Sequence, residues 1–425
     1  MTRFVTHCRL LSLAALFVVS SPFGCAHPDP QASELDALAK SFSVFRATLE
    51  ELEAEIRSSP SYGTDAEQVG GYRHMLRALA KSMEAEILQD PDYPYFRILD
   101  FWLREGGDNP DQHYAFSPIR GGESYRIWGE MGSAVRVEFQ IYAGKPWAGT
   151  GRSAGYLIFD ELEIAGDGSF EVHVSAEQRG GNWMPNPEDS STIFVRHIYD
   201  DWNQQRTGDV HIDRIGFEGR RRPQETSNEL AQRIRAAAEM FGTTARTWPA
   251  FVARRYKDAR RANSVASPYD VYALGGAKGR WMSGGYFELP PGKALLLRVP
   301  STRAKYQAIQ LTDMWFASLE HGNQTSSLTT LQSILSPDGA YYYVICPEDP
   351  GYANWLDSGV LRRGTFLMRW DGVMGELPEP QFPTAELVDR EKLPELIPGF
   401  AAVTEAERDA VRRERRRHLQ LRSHR

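Results

Sequence analysis

Two stretches of this 425-residue chain repeat each other in order and spacing, and that repeat limits the folds open to it more than any other feature. Phe139-Gln140-Ile141 is followed by Asp167-Gly168, Asn182-Trp183, Thr192 and Arg196. Ile309-Gln310-Leu311 is followed by Asp338-Gly339, Asn354-Trp355, Thr365 and Arg369. Asp to Asn spans 15 residues in one stretch and 16 in the other, and Asn to Arg 14 and 15. A match of this length implies two related units in tandem. The segments around the shared residues alternate apolar and polar, the pattern of half-buried strands, and the Asp-Gly pairs suit hairpin turns because glycine adopts positive φ freely.

Strands are expected at Tyr125 to Trp128, Val135 to Tyr142, Leu157 to Ile164, Ser169 to Val174 and Thr192 to Tyr199, with a second series from about Tyr286. Helical periodicity flanks them. Leu35, Leu38, Phe42, Phe45, Leu49, Leu52 and Ile56 fall at alternating intervals of three and four, the mark of one helix with a narrow apolar seam. Thr64 with Glu67, and Thr226 with Glu229, form capping boxes that open two more helices, the first turning Leu76, Leu79 and Met83 inward. The expected fold is mainly β with helical additions: two tandem related antiparallel β-sandwiches of jelly-roll type, an N-terminal helical hairpin, a helical linker and a C-terminal helix. The corresponding boundaries are an export signal over 1–25, a helical region over 26–106, the first β-repeat over 107–205, a helical linker over 206–262, the second β-repeat over 263–375, and a Pro-rich segment with a basic helix over 376–425.

Residues shared by both copies read as structural, so a site is sought where the copies differ. They differ most between the Gln-containing strand and the Asp-Gly turn. Copy one has the Gly-rich, basic loop Ala143 to Gly155, and copy two the polar, aromatic loop Thr312 to Leu328. Loops at one end of a sandwich commonly carry binding groups. In copy two, Asp313 and His321 are candidate acid–base partners, with His321 as base and Asp313 fixing its tautomer. Trp315, Asn323, Gln324, Ser326 and Arg369 are candidate ligand-binding residues. A second, weaker cluster is His197 with Tyr199 to Trp202.

The first 25 residues give the compartment. Arg3 and Arg9 precede the apolar run Leu10 to Val19, which is short for a bilayer span and ends at Ser20-Ser21-Pro22. Export is expected. Gly24-Cys25 resembles the end of a lipobox, which would make Cys25 the lipid-carrying residue, while Gly24-Cys25-Ala26 also suits ordinary cleavage after Ala26. With three cysteines in all, no disulfide framework is available, and Cys346, in the apolar run Tyr341 to Cys346, reads as a buried structural thiol. The net charge is −7, and the tail from Glu405 carries eight Arg against four acids, so the rest of the chain is acidic and nucleic acid is not an expected partner.

Leu295 to Trp370, with Asn323 to Leu328, Ser336 to Gly339, Asn354-Trp355-Leu356 and Arg369, resembles the bacterial family catalogued as domain of unknown function 1214. Gly107 to Asp111, Tyr114 and Tyr125 to Gly129 are similar to the region that precedes that domain. The resemblance spans most of residues 60 to 375. It implies tandem β-sandwiches with helical additions and implies no reaction.

Gly151-Arg152-Ser153-Ala154-Gly155 has the letters of a nucleophile elbow, but a strand-like segment follows where a helix is needed. No HExxH, paired CxxC, EF-hand or phosphate-loop pattern occurs, so neither metal nor cofactor is expected. The leading functional expectation is an exported, lipid-anchored envelope protein that binds a small molecule or glycan at the loop end of the second β-unit. A cofactor-independent hydrolase or lyase using Asp313 and His321, and a structural or interaction module, are the alternatives. The oligomeric state is left open.

Overall fold

The structure, a computed structural model, describes residues 30–99, 103–148, 150–258, 261–274, 276–373 and 375–423. The export signal and Cys25 lie outside these residues. No helix among them is long and apolar enough to cross a membrane.

The described chain is predominantly β, sandwich-like, with helical additions. Its first nine strands are β1 (Arg97–Leu99), β2 (Gln112–Pro118), β3 (Tyr125–Gly132), β4 (Arg136–Ala143), β5 (Arg152–Ile158), β6 (Ser169–Ser175), β7 (Trp183–Pro185), β8 (Ser190–Ile198) and β9 (Thr207–Arg214). They form a five-stranded sheet in the order β1-β2-β8-β4-β5 and a four-stranded sheet in the order β7-β6-β3-β9. Nine more follow: β10 (Tyr269–Asp270), β11 (Arg280–Glu288), β12 (Lys293–Pro300), β13 (Tyr306–Thr312), β14 (Ser327–Thr329), β15 (Ala340–Cys346), β16 (Trp355–Asp357), β17 (Arg363–Asp371) and β18 (Thr384–Asp389). Their sheets run β10-β11-β17-β13-β14 and β16-β15-β12-β18, the same order strand for strand.

Period-two alternation explains the packing. Val137, Phe139 and Ile141 of β4 and Ile193 and Val195 of β8 meet Ile127, Val172 and Ile212 of the facing sheet in one core. Ile309 and Leu311 of β13 and Phe366, Met368 and Trp370 of β17 do the same opposite Leu295, Leu297, Tyr343 and Ile345.

Three expectations about boundaries need correction. The region 206–262 is no pure linker, because β9 pairs with β3 inside the first unit. Likewise β18, in the Pro-rich tail, pairs with β12. The sheets are also not wholly antiparallel, since β7 and β16 pair parallel with β6 and β15 as three-residue edges. Short strands whose partners lie far along the chain carry little local signal, so these pairings escape a periodicity reading.

The helices are α1 (Pro30–Ser58), α2 (Asp65–Met83), α3 (Ser227–Val252), the single turn α4 (Leu393–Leu396) and α5 (Glu405–Ser423). Both expected capping boxes are present, at Thr64 with Glu67 and at Thr226 with Glu229. The expected two-helix hairpin is instead a three-helix layer: Phe45, Leu52 and Ile56 of α1 and Met75 and Ala78 of α2 share one core with Ala237, Ala238, Phe241 and Ala245 of α3. Leu76 and Met83 point outward rather than inward. The buried face of α2 runs through Glu67, Gly71, His74, Met75, Ala78 and Ser82. A Cβ on Gly71 would stand 2.8 Å from the Trp315 ring and 2.9 Å from Ile56, so the small residue sets how closely this face packs.

The outward faces of the two five-stranded sheets meet each other. Glu138 and Arg136 of β4 lie against Arg280 and Asp371 of β11 and β17, all under 10% exposed. The basic C-terminal helix straps this junction and is not a freely solvated charge run. Arg415 reaches the His321 carbonyl, Arg422 the Pro110 carbonyl and His418 the Trp202 carbonyl, with Arg415 and Arg422 stacked over the Trp202 ring.

Candidate ligand-binding cleft

In the copy-two loop the residues expected to form a site are engaged by the protein itself. The Asp313 carboxylate accepts the Trp315 and Ala317 N–H groups at 2.9 and 3.0 Å and closes its own turn, in which Phe316 sits at φ +65°. Burial lifts the Asp313 pKa to about 6, against the pull of the Ala317 amide and Arg77. Trp315 is no platform for a ligand. It is 2% exposed, its indole N–H donates to the Glu67 carbonyl, and its ring stacks on His74 within the helical core.

His321 is likewise 2% exposed. Its Nδ1 lies 3.5 Å from Ser318 Oγ and 3.2 Å from the Leu319 carbonyl, and burial with nearby arginines holds its pKa well below the usual imidazole range. The carboxylate that reaches this corner is Asp108, which accepts from the Ser318 N–H and hydroxyl at 3.0 and 2.7 Å. The hydrogen bonds of Asp313 go to its own turn, so the expected acid–base pairing with His321 gains no geometric support.

Ser326 is fully buried and donates to the Glu320 carbonyl. Arg369 is 7% exposed and donates to Gln310 and to the Gly107 carbonyl. Asn323 is exposed but accepts from Arg416 of α5, and Gln324 is half-buried beside Gly359. Of the weaker cluster, His197 packs inside the first sandwich beside His113, ring centroids 6.0 Å apart.

A large concavity lies elsewhere. It is a cleft of about 1080 Å³ between the first β-unit and the helical layer. One wall is the outward face of β2 and β8, where Phe116 and Phe194 stack at 5.6 Å, with Ser190 and Thr192 alongside. The copy-one loop supplies Pro146 and Trp147. Its Lys145 pairs with Glu239 of α3, which fixes the loop against the helices.

The opposite wall is built by an irregularity in α2. The helix ends in a π-helical turn, Glu84–Leu88, and widened turns of this kind are frequent at functional sites. Arg233 of α3 gathers the carbonyls of Glu86, Ile87 and Gln89 where the turn ends, and its other arm pairs with Glu225. This holds Glu86 and Gln89 at the cleft. Gln89 is 3% exposed, and both its amide oxygen and nitrogen lack a hydrogen-bond partner among the described residues; so does the hydroxyl of Ser190, 7% exposed. Burial raises the pKa of Glu86. Buried polar groups are mostly satisfied, and here an amide and a hydroxyl without partners among the described residues belong to one cleft; similar groups occur elsewhere, at His113, His197 and Thr244. Among the described residues, no group of three or more His, Cys, Asp or Glu side chains is arranged to hold a metal ion.

The sequence signal for this cleft was present in the copy-one loop, which departs from the repeat as clearly as its counterpart. The Glu86–Gln89 wall had no such signal.

No protein-family model matches the chain, and no curated protein matches it. Among solved structures, an uncharacterized protein from Burkholderia cenocepacia is 24% identical, with a TM-score of 0.78 over 85% of this chain and all of that one. It shares the fold. The VPA0106 protein from Vibrio parahaemolyticus, 11% identical, aligns over 75% of this chain and 97% of its own with a TM-score of 0.42, too low to establish a common fold.

Proposed function

We propose that this chain is an exported, lipid-anchored ligand-binding protein of the bacterial envelope, and that its ligand lies in the cleft between the first β-unit and the helical layer. The observation that carries the reading is Gln89, an almost wholly buried amide with neither atom bonded among the described residues, on a cleft lined by aromatic rings. Pockets for small molecules combine apolar walls with a few convergent polar groups. Export and lipid attachment at Cys25 are supported by the arginine-flanked apolar leader and the Gly24-Cys25 pair.

The matching strand orders and the ordered motifs support two related jelly-roll-like repeats, and the motif order supports kinship with the domain-of-unknown-function 1214 family. Neither supplies a reaction. The hydrolase reading with Asp313 and His321 has no geometric observation in its favour.

A thermal-shift panel of sugars, lipids, sterols and metals on the full chain tests the ligand reading, since a ligand of the native state raises the melting temperature. A hit should shrink in Gln89→Leu. A hit that survives Gln89→Leu but is lost in His321→Ala would return the site to the second unit.

A further inference from the structure

We propose that the cleft takes a neutral oligosaccharide, stacked on Trp147 with Phe194 beside it and hydrogen-bonded by Gln89, Ser190 and Glu86; this rests on the ligand-binding reading above. The cations at the cleft are already engaged: Lys81 with Glu105, Arg120 with Asp92, Arg222 with Asp90, and Arg233 with Glu225. Each of these cations is already partly neutralised by its carboxylate, so an anionic ligand finds a weakened counter-charge here. A sterol or acyl chain would cover the amide of Gln89 and the hydroxyl of Ser190 without bonding them, at about 1–3 kcal/mol for each group.

Sugar hydroxyls both donate and accept, and so do the groups that stand without partners. Gln89 offers an acceptor and two donors, and Ser190 one of each kind. Glu86, whose carboxyl forms no ion pair among those described, accepts when ionised and donates when protonated, and burial favours the protonated form. The C–H face of a pyranose needs a flat apolar surface, which the half-buried Trp147 ring of the copy-one loop offers at the cleft. The volume of about 1080 Å³ is at the upper limit of the usual range for small-molecule pockets, which favours several linked rings over one.

The test is calorimetric titration of the full chain with neutral oligosaccharides (a linear glucan, a chito-oligosaccharide and a galactan) and with an oligogalacturonate as the charged counterpart. At least one neutral sugar is expected to bind, about tenfold or more tighter than the galacturonate, with Gln89→Leu losing about tenfold and Ser190→Ala several-fold, as lost hydrogen bonds to a buried site imply. Gln89→Leu should melt no lower than the parent, because it removes an unsatisfied amide. Should that variant fail to fold, Ser190→Ala carries the comparison.

Silence across the neutral panel, or equal binding of the galacturonate, overturns the sugar proposal. A non-sugar ligand that stabilises the parent but not Gln89→Leu overturns it too, while leaving the cleft as a ligand site. A sugar that binds Gln89→Leu and Ser190→Ala as tightly as the parent removes the cleft itself.

Discussion

Asn182 and Asn354 occupy the same place in the two β-units and make the same pair of bonds. Asn182 accepts the Glu163 N–H and donates to the Glu163 carbonyl, each at 2.8 Å; Asn354 does the same to Ile334 at 2.7 and 2.8 Å. In both units the amide ties the segment before the Asp-Gly turn to the strand that follows it.

The two positions differ in burial, and that sets the first prediction. Asn354 is fully buried and Asn182 half-buried. Asn354→Ala leaves the Ile334 N–H and carbonyl unsatisfied and should cost about 2–3 kcal/mol, whereas Asn182→Ala, whose backbone partners can be hydrated, should cost about 1 kcal/mol. Urea denaturation of the two variants checks the order.

Arg280 joins the units through Asp371 at 2.6 Å and Glu138 at 3.3 Å, with both acids fully buried. Arg280→Met strands Asp371, leaves Glu138 with Arg136 alone, and should destabilise by roughly 3–5 kcal/mol. Arg280→Met combined with Asp371→Asn should recover part of that loss, read as a rise in the denaturation midpoint.

Acid should unfold the protein through its buried histidines. Burial lowers the pKa of His197 to about 4 and that of His418 to about 3, and puts His113 well below the usual value, with His197 and Arg422 adding to the effect. Each folded value lies below the unfolded one of about 6.5, so the unfolded state takes up protons first as pH falls. Stability is therefore full above about pH 6.5 and declines between there and about pH 4, by up to about 3 kcal/mol for His197 alone. His197→Phe should flatten the decline in a pH series of melting temperatures.

His321→Ala and Asn323→Ala should part company. His321 is buried with its ring edge toward Trp202 and its carbonyl held by Arg415, so its truncation should cost about 2 kcal/mol or more. Asn323 is exposed and its loss should stay within about 0.5 kcal/mol. Equal stability of the two variants would restore His321 to the list of binding residues.

Cys346 shows how far local sequence reaches. Its apolar, strand-like run predicted a buried thiol, and it is fully buried in β15 with burial pushing its pKa up to about 12. The capping boxes and most strands were legible in the same way, because cap chemistry and period-two alternation act over a few residues. The face of α2 was not, because Gly71 and His74 pack against Trp315, more than 240 residues away in the chain.

The repeat, and with it the β-rich class and the matching turns, is written in the chain itself, since the Asn-Trp pairs serve contacts inside their own units. Where a ligand can go depends on packing between units. A polar, aromatic loop reads the same whether its groups face solvent or one another, and here the helical layer and helix α5 bury the copy-two loop. Gln89 and Ser190, whose side-chain groups lack partners among the described residues, line one cleft formed by elements about a hundred residues apart, and whether a hydrogen bond is satisfied is decided by that packing, not by either residue's neighbours in the chain.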